Sequence, residues 1–354
     1  MLKVALVGCG RIAKRHSELL GYNQIKGAKL VGACDVIEDK AKKIASQFDI
    51  PYYTNMDIMM QREDIDIVSV LTESGNHASN VINLAKYKKH LLVEKPMALT
   101  LEDADAMIEA CDRNNCKLFV VKQNRFNVPV MKLREAIELG RFGKKVLGTV
   151  RVRWCRDQNY YNLDKWRGTW AFDGGVLTNQ ASHHIDLLVW MMGDVDSVFA
   201  YSTTALVNIE AEDTAIALLK FKNGALGVVE ATTAARPTDL EGSISILGEN
   251  GAVEIGGFAV NKMLHWKFKD NLPDDDEVMQ KYSVNPLNVY GFGHQAYYEH
   301  VVSSIKNNSP HLVDGLSGRK SLELINGMYE SIETGEEIFL NFKPKKCKLG
   351  IKSE

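Results

Sequence analysis

The chain has 354 residues, of which 45% are hydrophobic and 25% are charged, and its formal net charge at pH 7 is −2. This composition is typical of a folded globular protein, and the length predicts two domains rather than one core. The small net charge excludes a general attraction to nucleic acid or to an anionic membrane, so local cations must hold any anionic ligand. No apolar run in the sequence approaches the length of a membrane span, and we expect a cytoplasmic protein.

The six cysteines show no Cys-x-x-Cys pair. This spacing predicts neither a zinc site nor a disulfide framework, and we predict no bound metal.

A glycine-rich turn follows the first apolar run of the chain. The pattern Gly-x-Gly-x-x-Ala begins at Gly8 and contains Gly10, Arg11 and Ile12. Such a turn binds the pyrophosphate of a dinucleotide, because the glycines let the anion approach the backbone and the next helix offers free amides. A second strand ends about 25 residues later in Asp35, which suits the ribose hydroxyls and would repel a 2′-phosphate. The pattern favours NAD over NADP, although Asp35 could also merely cap the helix after it.

Strands and helices then alternate, which predicts an α/β Rossmann domain with a doubly wound parallel sheet over residues 1–124. Ligands of such sheets bind beyond the carboxyl ends of the strands. Lys95, between a buried strand and a proline, would be partly desolvated there, which makes it a catalytic candidate. Three loops at this edge supply the polar residues that we assign to the cofactor: Thr72, His77, Glu94, Lys95 and Gln123.

The periodicity changes over residues 125–354 to long alternating strands. Asn-Gly turns at 223–224 and 250–251 predict hairpins. We therefore predict an α+β C-terminal domain with a large, mainly antiparallel open sheet, whose last helix could pack back on the first domain. The polar stretch 267–282 predicts a solvated loop. The open sheet favours a homo-oligomer, either a dimer or a tetramer.

Polar and apolar residues are crowded together in the segment 174–188 of this second domain. At helical spacing Asn179 and His183 lie on one face, so they could contact a ligand together. The alternative is that His183 is hydrogen-bonded core material. Tyr290 and His294 precede a later helix, where they could line the cleft or belong to a packed loop.

Taken together, these motifs resemble the glucose-fructose oxidoreductase and inositol dehydrogenase family. More narrowly, the chain is similar to the UDP-N-acetyl-2-amino-2-deoxyglucuronate dehydrogenases, the 3-dehydrogenases of bacterial surface polysaccharide (O-antigen) pathways. Many members of the broad family carry aspartate where Asn179 stands, and this departure matches the narrower group. The resemblance is carried by Gly8, Gly10, Arg11, Glu94-Lys95-Pro96, Gln123-Asn124-Arg125-Phe126, Trp154-Cys155-Arg156, Trp166-Arg167, Asn179, His183 and Tyr290 to His294.

The resemblance implies NAD-dependent oxidation of the C3 hydroxyl of UDP-N-acetyl-2-amino-2-deoxy-D-glucuronate to the 3-keto sugar nucleotide. His183 would be the general base with support from Asn179, and Lys95 would stabilise the charge that develops on the same oxygen. Lys95 as the base remains open. Arg156, Tyr160, Tyr290 and His294 would contact the sugar nucleotide, and Trp166 and Arg167 the cofactor.

The sequence leaves the fate of the reduced cofactor and two alternative functions open. Reduced cofactor could leave, or a 2-oxo acid could reoxidise it in place. One alternative function is a dehydrogenase or reductase of a free sugar or inositol, and another is a non-catalytic NAD-binding regulator of the same fold.

Overall fold

The computed structural model describes residues 1–257, 259–283, 293–340 and 349. It divides into two compact units, one of Met1–Lys122 with His294–Arg319 and one of Gln123–Gly293 with Lys320–Glu354. The chain therefore passes between the units at three points, rather than at the single boundary expected at residue 124. The segment 294–319 belongs to the first unit because, for example, Val120 N donates to Val313 O at 2.8 Å.

A six-stranded sheet forms the centre of the first unit. Its strands are β1 (Leu2–Val7), β2 (Ala28–Cys34), β3 (Tyr52–Tyr53), β4 (Ile67–Val70), β5 (His90–Val93) and β6 (Leu118–Val120). All neighbours pair in parallel in the order β3-β2-β1-β4-β5-β6, which is the order of the doubly wound dinucleotide-binding fold. Residues of β4 are entirely buried, as expected of a parallel strand covered on both faces.

In the described part of the first unit, five helices connect these strands and a sixth comes from later in the chain. They are α1 (Arg11–Gly21), α2 (Glu38–Phe48), α3 (Met56–Arg62), α4 (His77–Ala85), α5 (Leu101–Arg113) and α10 (Gly293–Asn307). The side chain of Thr100 caps α5 by accepting from Asp103 N, whereas α1 has no side-chain cap. The predicted alternation of strands and helices is confirmed.

An eight-stranded sheet forms the centre of the second unit. Its strands are β7 (Lys145–Arg153), β8 (Val195–Thr203), β9 (Thr214–Phe221), β10 (Leu226–Thr232), β11 (Glu241–Gly248), β12 (Gly251–Gly256), β13 (Lys262–Phe268) and β14 (Ile338–Phe339). Their order is β13-β12-β11-β7-β10-β9-β8-β14, and all pairs are antiparallel except β7 with β10. Both predicted Asn-Gly hairpins, β9 with β10 and β11 with β12, are confirmed.

The described residues contain five further helices: α6 (Val128–Glu138), α7 (Gln158–Asn162), α8 (Ser182–Met192), α9 (Asp275–Lys281) and α11 (Gly315–Thr334). Helix α8 packs on β7 and β11, and it buries Ile185, Leu188 and Met192. No helix in the described part of the chain is both long and apolar enough to cross a bilayer.

The expected solvated loop at 267–282 is wrong at its centre, where α9 forms and Asp275 is half-buried. Both terminal nitrogens of Arg141 donate to the Asp275 carboxylate, at 2.9 and 2.6 Å, and Trp266 Nε1 donates to it at 2.7 Å. The hydrogen bonds from Arg141 hold the pKa of Asp275 well below its usual range. The sequence alone suggests that this acidic run is solvated, because its cationic partner Arg141 is far away along the chain.

Candidate functional site

The glycine turn between β1 and α1 leaves an open space next to the backbone. Gly8 has φ +94°, and a Cβ there would stand 2.7 Å from the backbone of Leu71 and Thr72. A Cβ on Gly10 would meet no atom within 4 Å. Because α1 also begins without a side-chain cap, its first amides are oriented to receive an anion. These features fit the pyrophosphate of NAD.

Alanine substitutions at Gly10 and Gly8 should therefore have different effects on NAD binding and on thermal stability. Gly10→Ala should leave the thermal unfolding of the free protein unchanged, since the new methyl group meets no protein atom. It should weaken NAD binding about 5- to 150-fold, the equivalent of 1–3 kcal/mol of overpacking against the ligand. Calorimetric titration with NAD and a melting curve check both points. Gly8→Ala is the contrast, since its positive φ and backbone contacts should destabilise the free protein. Equal NAD affinity of Gly10→Ala and the wild type would contradict this assignment.

Asp35 links the glycine turn to the start of α2. Its Oδ2 accepts from Cys9 N at 2.7 Å and its Oδ1 accepts from Ile37 N at 2.8 Å. Each carboxylate oxygen has a second lone pair, so ribose hydroxyls can bind while both contacts persist. The capping role and the ribose role considered from the sequence are thus compatible.

His77, which we expected to contact the cofactor, is buried between two loops. Its Nδ1 lies 2.7 Å from Pro96 O and its Nε2 lies 3.0 Å from Thr72 O. Burial lowers the pKa of His77, although both carbonyls oppose this effect. A neutral ring carries one proton, so it donates to one carbonyl at a time. His77 therefore joins the Thr72 loop to the Lys95-Pro96 loop through its ring.

Glu94, also expected at the cofactor, anchors the backbone of the catalytic candidate Lys95. Its Oε2 accepts from Lys95 N at 2.9 Å, and its Oε1 lies 3.0 Å from Nε2 of His16. Burial alone would raise the pKa of Glu94, but the hydrogen bond and charge of His16 outweigh it and lower this pKa to about 2. The ionised carboxylate only accepts, so His16 donates from Nε2, and its Nδ1 lies 2.6 Å from Tyr298 OH.

His294 joins this cluster instead of an open pocket. It is 1% exposed, and its ring centroid lies 5.6 Å from that of His16. His294 thus packs beside His16, and the substrate contact that we expected at His294 stays a prediction. Ligand atoms of His16, Glu94 and His294 lie within 4.8 Å of one another, close enough for one metal ion. Both ring nitrogens of His16 already make hydrogen bonds, so a hydrogen-bonded cluster accounts for the arrangement without a metal.

In the second unit, His183 is half-buried near the start of α8. Its Nε2 lies 2.9 Å from Nε2 of Gln123. An amide nitrogen can only donate, so this ring nitrogen accepts and the imidazole is in its neutral form. An unprotonated ring nitrogen is what a general base requires, and the role of His183 as base stays a prediction. Gln123, which we assigned to the cofactor, contacts this imidazole in the structure.

Asn179 does not lie on the helix with His183, and the expectation of one shared helical face is wrong. It lies in an irregular turn before α8, and its Nδ2 donates to Asp173 Oδ1 at 2.5 Å. Asp173, which the sequence did not single out, is 1% exposed and also accepts from Gly168 N. A carboxylate is therefore present beside Asn179 although the residue itself is an amide.

Arginines and aromatic rings of the second unit form a stack. The guanidinium of Arg156 lies 5.3 Å from the ring of Trp154 and 5.5 Å from that of Tyr160. Arg167 lies 4.7 Å from the rings of both Tyr160 and Trp166, and it donates to Tyr160 OH at 2.8 Å. The residues that we divided between substrate and cofactor are thus adjacent. Tyr290 lies outside the described residues.

Arg156 keeps donors available within this stack. Its Nη1 donates to Cys155 O at 2.6 Å and to Asp239 Oδ1 at 2.9 Å. Its Nε and Nη2 make no hydrogen bond in the described part of the chain. Two donors of one planar group are the arrangement that binds a phosphate or carboxylate with two hydrogen bonds.

Both units match family models. Residues 2–122 match the NAD-binding Rossmann fold of the oxidoreductase family, and residues 134–340 match its C-terminal alpha/beta domain. The chain belongs to the Gfo/Idh/MocA oxidoreductase family. As a member of this family, it is an NAD-dependent oxidoreductase, and the predicted family, fold and cofactor are confirmed.

Two solved structures are similar over nearly the whole chain. The WlbA dehydrogenase from Bordetella pertussis is 39% identical, with a TM-score of 0.88 and coverage of 96% of this chain and 98% of that chain. The WlbA dehydrogenase from Chromobacterium violaceum is 40% identical, with a TM-score of 0.90 and coverage of 96% and 95%. Both are complexes with NADH and UDP-GlcNAcA.

A curated relative has a different activity. The myo-inositol 2-dehydrogenase of Thermotoga maritima is 28% identical over 96% of this chain and 98% of that protein.

Proposed function

We propose that this Gfo/Idh/MocA protein oxidises the C3 hydroxyl of UDP-N-acetyl-2-amino-2-deoxy-D-glucuronate to a 3-keto sugar nucleotide. The observation that carries the proposal is the similarity, over 96% of the chain, to two WlbA dehydrogenases that hold this sugar nucleotide. We further propose a cytoplasmic homo-oligomer that serves the synthesis of a surface polysaccharide such as O-antigen.

The stack around Arg156 suits the chemistry of such a substrate. A sugar nucleotide of this class carries a diphosphate and a carboxylate, which favour planar donors such as guanidinium. Arg156 offers Nε and Nη2, and its position between Trp154 and Tyr160 fixes the plane of the group. A free sugar or cyclitol would not use this cation.

The proton of the C3 hydroxyl requires a base. In the structure His183 presents an unprotonated Nε2 that accepts from the Gln123 amide, and we propose that the substrate hydroxyl replaces this amide as the donor. NAD supplies the hydride acceptor for the reaction. Lys95, whose backbone is fixed by Glu94, is the alternative base. A 2-oxo acid is a candidate for reoxidising the reduced cofactor.

The direct test is to incubate the protein with NAD and the sugar nucleotide. We expect absorbance from reduced nicotinamide and a product lighter by two hydrogen atoms in mass spectrometry. Arg156→Lys keeps the charge but loses the planar group, so it should raise the KM for the sugar nucleotide more than it lowers kcat. No product from the sugar nucleotide, together with turnover of a free sugar, would refute the proposal.

The second candidate is oxidation of inositol, which the Thermotoga maritima relative favours. In that case myo-inositol should be oxidised, and Arg156→Lys should leave its KM unchanged. NAD binding without turnover of any sugar would instead indicate a regulator.

A further inference from the structure

The turn that precedes α8 is held by two side chains from distant parts of the chain. Glu212, just before β9, is 3% exposed, and its Oε1 accepts from Leu177 N at 2.9 Å. The backbone oxygen of Glu212 accepts from Val176 N at 2.9 Å. Tyr329, on α11, donates its hydroxyl to the same Oε1 at 2.9 Å. One carboxyl group thus connects the turn to both β9 and α11.

The hydroxyl of Tyr329 also makes hydrogen bonds with two further residues of the turn. It accepts from Gly175 N at 3.2 Å and lies 2.9 Å from Thr178 Oγ1. A phenol has one proton, and Glu212 Oε1 takes it, so the hydroxyl of Thr178 is the donor to Tyr329. Residues 175–178 are all tied to Glu212 or Tyr329, directly before Asn179.

The second oxygen of Glu212 has a different environment. Oε2 is buried and has no hydrogen-bond partner among the described residues. The backbone of Gly175 covers it so closely that a Cβ there would stand 2.2 Å from Oε2. A negative charge on an oxygen without a donor is costly, and the nearby charge of Asp173 adds to that cost. Burial, with this charge, raises the pKa of Glu212 to about 7.

We propose that Glu212 is a positioning residue that acts as a neutral carboxylic acid, holding the turn that carries Asn179 and leads to His183. Ionisation would leave a charge on Oε2 without a hydrogen-bond donor, so the covering backbone at Gly175 must move to admit water, and this movement of the turn ends activity at alkaline pH. The link to activity rests on the proposed function, whereas the link to stability does not.

The direction of the pH effect follows from the raised pKa of Glu212. The stabilisation that the neutral acid provides is complete below its ordinary pKa of 4.5 and is lost as the pH rises through about 7. Water can reach Oε2 only if the covering backbone at Gly175 moves. Among the described residues, Tyr329 on α11 and Asp173 in the turn are titratable groups that act on Glu212. Burial raises the pKa of Tyr329 so far that it stays protonated.

Glu212→Gln tests this proposal, because the amide keeps the shape and the accepting oxygen but cannot ionise. In the wild type kcat/KM should fall about tenfold per pH unit above the midpoint near pH 7, and in Glu212→Gln this alkaline fall should be absent. The melting temperature of the wild type, measured without substrate, should decrease relative to Glu212→Gln between about pH 4.5 and about pH 7 and stay level above that range. Glu249→Gln makes the same change at an exposed carboxyl and should behave as the wild type.

Tyr329→Phe provides a second test that does not alter the carboxyl group. Its hydrogen bond lowers the pKa of Glu212, so its loss should move the alkaline midpoint to higher pH. Identical pH dependence of melting in the wild type and Glu212→Gln would overturn the proposal. If the melting curves differ as expected but the sugar nucleotide is not oxidised, the positioning role stands and the proposed substrate does not.

Discussion

His183→Ala is expected to lower kcat by about 10²–10⁴-fold, the range for loss of a general base. The reason is that the unprotonated Nε2 of His183, held by Gln123, is the acceptor that we propose for the hydroxyl proton. The acid limb of the wild-type pH profile, which reports protonation of the general base, should disappear with it. Steady-state rates with saturating NAD across the pH range measure both effects.

His265→Ala is the matched control, because this histidine is exposed on β13 and its loss should leave kcat unchanged. If His183→Ala turns over normally while Lys95→Ala does not, the role of base passes to Lys95. Measuring the NAD affinity of each variant distinguishes a defect in the chemical step from impaired cofactor binding.

Asp186→Ala is expected to reduce the free energy of unfolding by about 3–5 kcal/mol. Arg125 donates from Nε and Nη2 to the two oxygens of Asp186, both at 2.7 Å, and the side chains are 6% and 2% exposed. Removing the carboxylate leaves a buried guanidinium without its counter-charge. The melting temperature should fall by roughly 6–20 °C for a domain of this size, which circular dichroism can follow.

Two further variants test whether the loss of stability in Asp186→Ala comes from the unpaired buried charge. Replacing both partners, Arg125→Met with Asp186→Leu, should recover most of the loss, because no charge remains unpaired. Lys320→Ala removes a partner of the exposed pair with Asp194 and should change the melting temperature little. Equal melting of Asp186→Ala and Lys320→Ala would contradict a structural role for the buried pair.

The elements that the sequence predicted well are determined by local patterns. The alternation of strands and helices predicted for residues 1–124 is found, for example with α2 at Glu38–Phe48 and α5 at Leu101–Arg113. The Gly8 turn and the hairpins at Asn-Gly are similarly local, because the required backbone conformation selects glycine within a few residues.

The errors arise where distant residues decide the conformation. Asn179 has helical spacing from His183, yet Glu212 and Tyr329 hold the preceding residues in a turn. Asp275 looks solvated until Arg141, far upstream, contacts it. The periodicity of the sequence does not indicate these distant partners. At such positions tertiary hydrogen bonds outweigh the local conformational preference.

The first unit also includes α10, which has consequences for its assembly during synthesis. Tyr298 of α10 hydrogen-bonds both His16 and Ser69 in the interior. At about 5–20 residues per second, a ribosome needs roughly 10–40 s to proceed from the end of β6 to the end of α10. Until then the nascent nucleotide-binding unit lacks the buried side chains of α10. We therefore expect this unit to complete its folding only after α10 has emerged from the ribosome.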